Sequence, residues 1–413
     1  ADTLLYQLRQ DKGGMWLFAA NGKNPPSPDV ENDCKLRFTL KGDYKLTLYD
    51  TLSGEIRPLD ALVTGGRTVF EKVWHLHDSL LLWLEPAKEH TRAPEFISMP
   101  SRDKQAALIM EPVRFRLSEP NMCLLDMGEY ALDGGEWQPG EEILRMDNAA
   151  RRALGIPPRR KEVMQPYLIP DEPNEHFIDV RFTIPSEEEV PSAHLALEDP
   201  ELAQICLNGE NVSTEVTGWF VDRDIKQIAL PGIKKGENVL TVRTPIGKRT
   251  NLEAFYLLGD FGVRVNGTVK TLIPLPEKLG FGSVVEQGLP FYTGNVEYII
   301  PVDTCGDFAV RVPHWRGGLV KAFVDGKDAG RIAFSPYRLE FKGLEPGRHE
   351  LVLRLYGTRI NGFGQLHHTQ GIYYYQSPNS WRSEGDLWKY EYEFKPMGIL
   401  KSPELSGAVP VKQ

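Results

Sequence analysis

L-P-G-I-K-K-G-E-N-V-L-T-V (residues 230–242) and F-K-G-L-E-P-G-R-H-E-L-V-L (residues 341–353) share a glycine-bearing turn followed by a strand leading away from it. Each is preceded by a related hairpin, A-Q-I-C-L-N-G-E-N-V over 203–212 and V-K-A-F-V-D-G-K-D-A-G over 320–330. The turns fall on Asn208-Gly209 and Asp325-Gly326, dipeptides that favour the type I′ geometry of a two-residue hairpin. A pattern met twice in the last two thirds of the chain marks an internal repeat. Two related antiparallel β units in tandem are the simplest account of it.

Working outward, the same punctuation continues. The 413 residues contain 38 glycines and 31 prolines, which break the chain into short alternating apolar and polar runs, the signature of antiparallel sheets. Leu36, Phe38 and Leu40 alternate up to Gly42-Asp43, and Tyr44, Leu46 and Leu48 alternate after it, which predicts a hairpin. Strands at 67–77, 79–84 and 106–117 complete a sandwich over residues 1–118. One helix is expected over Glu141 to Leu154, where Ile143, Ala150 and Leu154 recur at helical spacing. Glu141 and Glu142 suit its first turn, Arg151 and Arg152 its last, Gly155 its C-cap, and Pro157-Pro158 forbid continuation. The Pro-rich stretch 159–174 then connects to the next sandwich.

Composition removes several classes of function. The 48 basic and 57 acidic side chains give a net charge of −9, which excludes nucleic acid as a partner. No apolar run approaches the roughly 18–20 residues of a membrane-spanning helix, so no membrane partner is expected. Cys34, Cys123, Cys206 and Cys305 lack the close spacing of a zinc or redox site and read as free thiols, which favours the cytoplasm of a bacterium. There is no P-loop, G-x-S-x-G elbow, dinucleotide fingerprint or H-E-x-x-H motif. No cofactor is expected.

The repeat carries a resemblance. I-C-L-N-G at 205–209, the 230–242 run, Asn251-Leu252-Glu253 and Tyr256 to Val263 (Y-L-L-G-D-F-G-V) resemble the galactose-binding-like jelly rolls of large glycoside hydrolases. Those hydrolases are the β-galactosidase-like and α-L-rhamnosidase-like enzymes. Gln287 to Gly294 (Q-G-L-P-F-Y-T-G) and Gly357 to His368 (G-T-R-I-N-G-F-G-Q-L-H-H) are similar to the entry and exit of a second such module. Leu46 to Glu55 (L-T-L-Y-D-T-L-S-G-E) resembles the sandwich that follows a catalytic barrel in these enzymes. The resemblance implies a mostly β chain of tandem antiparallel β-sandwiches, the last two of them galactose-binding-like jelly rolls, with one linker helix. Its units are 1–118, 119–275 (with the helix) and 276–413. It also implies a catalytic domain upstream of Ala1, so that no catalytic residue is assigned here.

Sugar binding needs an aromatic face against the C–H side of the ring and polar groups for its hydroxyls. Trp381 in a Ser/Pro/Asn loop, Trp315 in P-H-W-R-G-G and Trp219 are the candidate platforms, with Tyr374 and His367 beside them. Packing against a neighbouring domain is the competing role for all three indoles. Trp388, Tyr390 and Tyr392 alternate as one face of a strand and are expected to be buried. Asp222 with Asp224, and Glu253 with Asp260, are the acid pairs considered for hydrolysis, with turns and charge-paired strand ends as their ordinary use. His75 and His77 alternate on an expected strand beside Asp78, which would suit a metal, but a solvated face is the commoner fate and no metal site is assigned. Glu187-Glu188-Glu189 and Glu198-Asp199 read as solvated surface.

The reading is the accessory, carbohydrate-binding and non-catalytic part of a glycoside hydrolase acting on plant or microbial glycans, partnered by carbohydrate and by its own upstream catalytic domain. A structural or subunit-interaction module without glycan binding, and a self-contained carbohydrate-active enzyme with a carboxylate pair in an interdomain cleft, are the alternatives.

Overall fold

The computed structural model describes residues 4–22, 33–87, 96–97, 106–159, 168–170, 173–250, 252–369 and 381–411. The chain is mostly β, in several antiparallel sheets, and Ile143–Ala153 is the one helix of seven or more residues among them. Three separate hydrophobic cores form between facing sheets.

The first core lies between Leu4–Asp11, Gly14–Asn21, Ser79–Pro86, Tyr44–Tyr49 and Ile56–Leu59, in that order, and a smaller sheet around Arg67–Trp74. The alternation on either side of Gly42-Asp43 does not make a hairpin. Cys34–Lys41 pairs with Arg67–Trp74, whereas Tyr44–Tyr49 pairs with Ser79–Pro86 and Ile56–Leu59. The chain turns a corner and changes sheet at Gly42, whose φ of 114° excludes a side chain at low cost. Thr68 holds that corner, accepting from the Tyr44 N–H and donating to the Gly42 carbonyl at 2.9 and 2.8 Å. Phe38 and Leu46 still meet in one core, from opposite sheets.

The strands expected over 106–117 leave this sandwich. Ala107–Leu108 pairs with Glu404–Pro410, and Val113–Leu117 pairs with Lys278–Leu279 and Val296–Arg311. Ile109 and Val113 bury with Leu279, Val284 and Tyr298 in the C-terminal core, where apolar alternation alone gives no information about which sheet accepts a strand.

The two repeat copies have the same local topology. His176–Ser186, Gly236–Ile246, Gln204–Leu207 and Glu210–Val212 lie side by side in the second core, as do Val296–Arg311, Gly347–Leu355, Val320–Val324 and Lys327–Ile332 in the third. Asn208 and Gly209 have φ of 53° and 82°, Asp325 and Gly326 of 48° and 75°, the doubly positive pair that type I′ requires. In both copies the first turn residue reaches across to the returning strand. Asn208 Oδ1 accepts from the Val239 N–H and Asp325 Oδ1 from the Glu350 N–H, each at 2.9 Å. Asn208→Ala and Asp325→Ala are each expected to cost about 1–2 kcal/mol in chemical denaturation, through the lost hydrogen bond and the left-handed φ forced on alanine. Equal stability of both variants and the parent would show that the turn side chains are ornamental.

The helix begins two residues later than expected, because Gln138–Glu142 pairs as a strand with Met127–Leu132 and Glu142 becomes the N-cap. Arg151 is fully buried rather than solvated. It pairs with Asp147 at 2.9 Å and donates to the carbonyls of Gly247 and Thr250 at 3.1 and 2.7 Å, tying the helix to the second core.

Candidate functional site

Strand ends of the second core stop short of one another and leave a cleft of about 300 Å³. Leu124 and Asp126 form part of it, followed by the helix start Glu142-Ile143-Leu144, then Glu198, Ile225 and Tyr256 from the same sheet as Leu124, and Glu253 just before that sheet's Phe255–Gly259 strand. The other wall comes from the far end of the sequence: 362–368, Trp381, Ser383 and Trp388.

Small residues bring that wall close. A side chain at Gly362 would sit 2.5 Å from Met122 Cε, and one at Gly364 would sit 2.4 Å from the Ile360 carbonyl. Asn361, buried beside them, clips the returning chain by donating to the Lys395 carbonyl at 2.8 Å and accepting from its N–H at 2.9 Å. Trp381 Nε1 donates to the Phe363 carbonyl at 3.1 Å, and Arg382 reaches the Leu144 carbonyl at 3.0 Å and Asp147 at 3.2 Å.

Asp126 is 3% exposed and receives three donors: Lys270 Nζ at 2.5 Å, the Tyr392 hydroxyl at 2.6 Å and His367 Nε2 at 3.2 Å. Burial raises its pKa, but the charges and hydrogen bonds of Lys270 and His367 outweigh burial and hold the carboxyl well below the ordinary range. Glu142 goes the other way. Burial, reinforced by the charge of Asp126 and opposed by the N–H groups of Leu144 and Arg145, pushes it up to about 8. At neutral pH the cleft therefore contains one ionised carboxylate, Asp126, and one protonated carboxyl, Glu142. Burial also pushes the Cys123 thiol up to about 12, which leaves it inert.

Two donors in the lining have no acceptor. Gln365 is buried and its Nε2 has no partner among the described residues, and neither has the buried Trp388 Nε1. A buried donor without an acceptor costs about 1–3 kcal/mol, so each asks for water or ligand. Trp388 lies against the Arg145 guanidinium, 4.7 Å from its ring centroid, and against the His367 ring at 4.8 Å.

Of the residues singled out from sequence, Trp381 and His367 line the cleft. His367 uses both nitrogens internally, Nδ1 contacting the Lys389 carbonyl at 3.1 Å and Nε2 contacting Asp126. Trp315 packs edge-on against Tyr337 at 4.9 Å in the third core. Trp219 is 55% exposed on an edge strand, and neither indole belongs to the cleft. Tyr374 lies outside the described residues. Trp388, Tyr390 and Tyr392 do not form a strand: the segment is irregular, Tyr390 is exposed, and Trp388 faces the cleft.

Asp222 and Asp224 are exposed neighbours, the Asp224 N–H bonding Asp222 at 3.0 Å. Glu253 lines the cleft, whereas Asp260 lines a separate groove beside Glu119. His75 is buried against Asp33 at 2.8 Å while His77 is exposed, because the strand ends at Trp74. Among the described residues no group of three metal-ligating side chains converges, and no helix is long and apolar enough to cross a membrane.

No protein-family model and no curated protein matches the sequence. Rhamnosidase chains are among its structural neighbours. A rhamnosidase from Novosphingobium sp. PP1Y aligns at 12% identity with a TM-score of 0.39, over 97% of this chain and 23% of that one. The Streptomyces avermitilis α-L-rhamnosidase complexed with L-rhamnose aligns at 11% identity with a TM-score of 0.25, over 97% and 38%. An anti-sigma factor domain-containing protein from Clostridium clariflavum aligns at 10% identity with a TM-score of 0.16, over 57% and 90%. The chain thus spans well under half the length of either rhamnosidase.

Proposed function

We propose that this chain is a carbohydrate-binding, non-catalytic β assembly that accompanies the catalytic domain of a glycoside hydrolase. On this reading its units are 1–118, 119–275 and 276–413, with the strands before residue 118 lent to the last, and the second and third units are galactose-binding-like jelly rolls. The observation that carries it is the cleft, where the indoles of Trp381 and Trp388 stand among carboxyl groups and two buried N–H donors without acceptors among the described residues. Apolar ring faces beside unsatisfied polar groups are what a sugar ring with its hydroxyls complements.

Isothermal titration of the full chain with L-rhamnose, D-galactose, D-glucose and N-acetyl-D-glucosamine is expected to give saturable binding to at least one of them. Trp381→Ala should weaken it at least tenfold, about 1.4 kcal/mol, while Trp219→Ala leaves it unchanged, with thermal melts confirming that both variants fold. Absence of binding across the panel sinks the proposal in favour of a purely structural module. Turnover of aryl glycosides that disappears in Glu142→Gln would replace it with hydrolysis.

A further inference from the structure

We infer that the two tryptophans of the cleft hold a sugar by different parts of the indole: Trp381 by its ring face, and Trp388 by its N–H edge, which together with Gln365 donates to oxygens of the ligand. The inference rests on the carbohydrate reading above and goes beyond it by assigning the contact that each indole makes.

An indole can meet a sugar with an apolar face or with a single N–H that only donates. Each tryptophan of the cleft has one of these already in use. Trp381 donates its Nε1–H to the Phe363 carbonyl at 3.1 Å, so its edge is taken. Its ring is half-buried against the second core, and among the described residues no aromatic ring or cation stacks on it.

Trp388 is the reverse. Its ring is engaged by the Arg145 guanidinium at 4.7 Å, by the His367 ring at 4.8 Å with 36° between the planes, and edge-on by the Tyr390 ring at 5.7 Å. Its buried Nε1–H has no acceptor among the described residues. A ligand that stacked on Trp388 would compete with a cation–π contact already made, whereas a ligand oxygen at the edge would satisfy a donor whose isolation costs about 1–3 kcal/mol. Gln365 stands in the same lining, 5% exposed, and its Nε2 has the same need. No buried side-chain oxygen of the lining is left without a donor among the described residues. The unmet hydrogen bonds of the lining are therefore both N–H donors, and the ligand group that answers them is an acceptor: a hydroxyl, ring or carbonyl oxygen.

The test repeats the titration of the full chain with L-rhamnose, D-galactose, D-glucose and N-acetyl-D-glucosamine on two variants that keep an aromatic ring. Trp388→Phe retains a ring against Arg145 and His367 but has no N–H, and is expected to bind about tenfold more weakly than the parent without melting lower. Trp381→Phe retains a ring face and is expected to bind within about threefold of the parent, unlike Trp381→Ala. A third measurement is read on the parent chain and needs no variant to fold. With isotope-labelled indole nitrogens, the Trp388 N–H signal, identified by its nuclear Overhauser contacts to the His367 ring, should move downfield in its proton dimension on saturation with the sugar, as an N–H that gains an acceptor does. A role confined to packing would not move it. Parent-like affinity in Trp388→Phe, a Trp388 signal that stays in place, or Trp381→Phe binding as weakly as Trp381→Ala overturns the inference and leaves carbohydrate binding intact. If none of these sugars binds the parent, the carbohydrate reading itself fails and the inference falls with it.

Discussion

Replacing Lys270 with methionine is expected to destabilise the fold by about 3–5 kcal/mol at pH 7, the cost of leaving a buried carboxylate without its principal cation. Lys270 and Asp126 are almost completely shielded from solvent, with side chains 7% and 5% exposed. Their pair also fixes Tyr392 and His367, so its loss loosens the wall contributed by the end of the chain. The pH dependence has a definite sign. In the parent protein the depressed pKa of Asp126 stabilises the fold above the ordinary aspartate range, and that stability is lost as pH falls through and below it. In the methionine variant burial acts with its main opponent removed, the folded-state pKa rises above the unfolded value, and stability is lost as pH rises. The deficit of the variant should therefore shrink when urea titrations are repeated near pH 5. A variant as stable as the parent at pH 7, or a deficit that grows on acidification, would refute this account.

Glu142→Gln is expected to stabilise the protein at high pH. The folded-state pKa of Glu142 is raised from 4.5 to about 8, so its contribution is fully present below 4.5 and is lost as pH rises through about 8. A shift of that size corresponds to stability on the order of 5 kcal/mol. Glutamine is neutral at every pH and retains an oxygen to accept the Arg145 N–H that caps the helix, a bond of 3.1 Å in the parent. Parent and variant should be similar at pH 5 and diverge towards pH 9, with the variant melting higher. A pH-independent difference between the two melting curves would mean that the carboxyl is ionised throughout.

The fold class was legible because strand alternation and turn dipeptides are local. Asn208-Gly209 and Asp325-Gly326 specify their hairpins within four residues, and the helix is bounded by its own Gly155 and Pro157. Which strand lies beside which was less legible. The alternation flanking Gly42 reports that Phe38 and Leu46 face a common core, and is silent on whether they belong to one sheet or to two.

The cleft was legible only through Trp381, His367 and Glu253. Its other polar residues sit where strands or a helix end, at Asp126, Glu142 and Glu198, and they look like ordinary caps until the ends are brought together. Trp388 alternates with Tyr390 and Tyr392 as a strand would. Three contacts keep that segment irregular instead: the Asn361 clip, the Lys389 N–H on the His367 carbonyl, and the Glu393 N–H on the Leu366 carbonyl.

Asp126 and His367, which touch across the cleft, are 241 residues apart in the chain. Closing a loop of that length is entropically slow relative to local pairing. During synthesis the segments carrying Asp126, Glu142, Glu198 and Glu253 leave the ribosome long before the segment that covers them. The cleft is consequently among the last parts of the molecule to close, and a nascent chain halted anywhere before residue 360 displays its acidic floor with no roof.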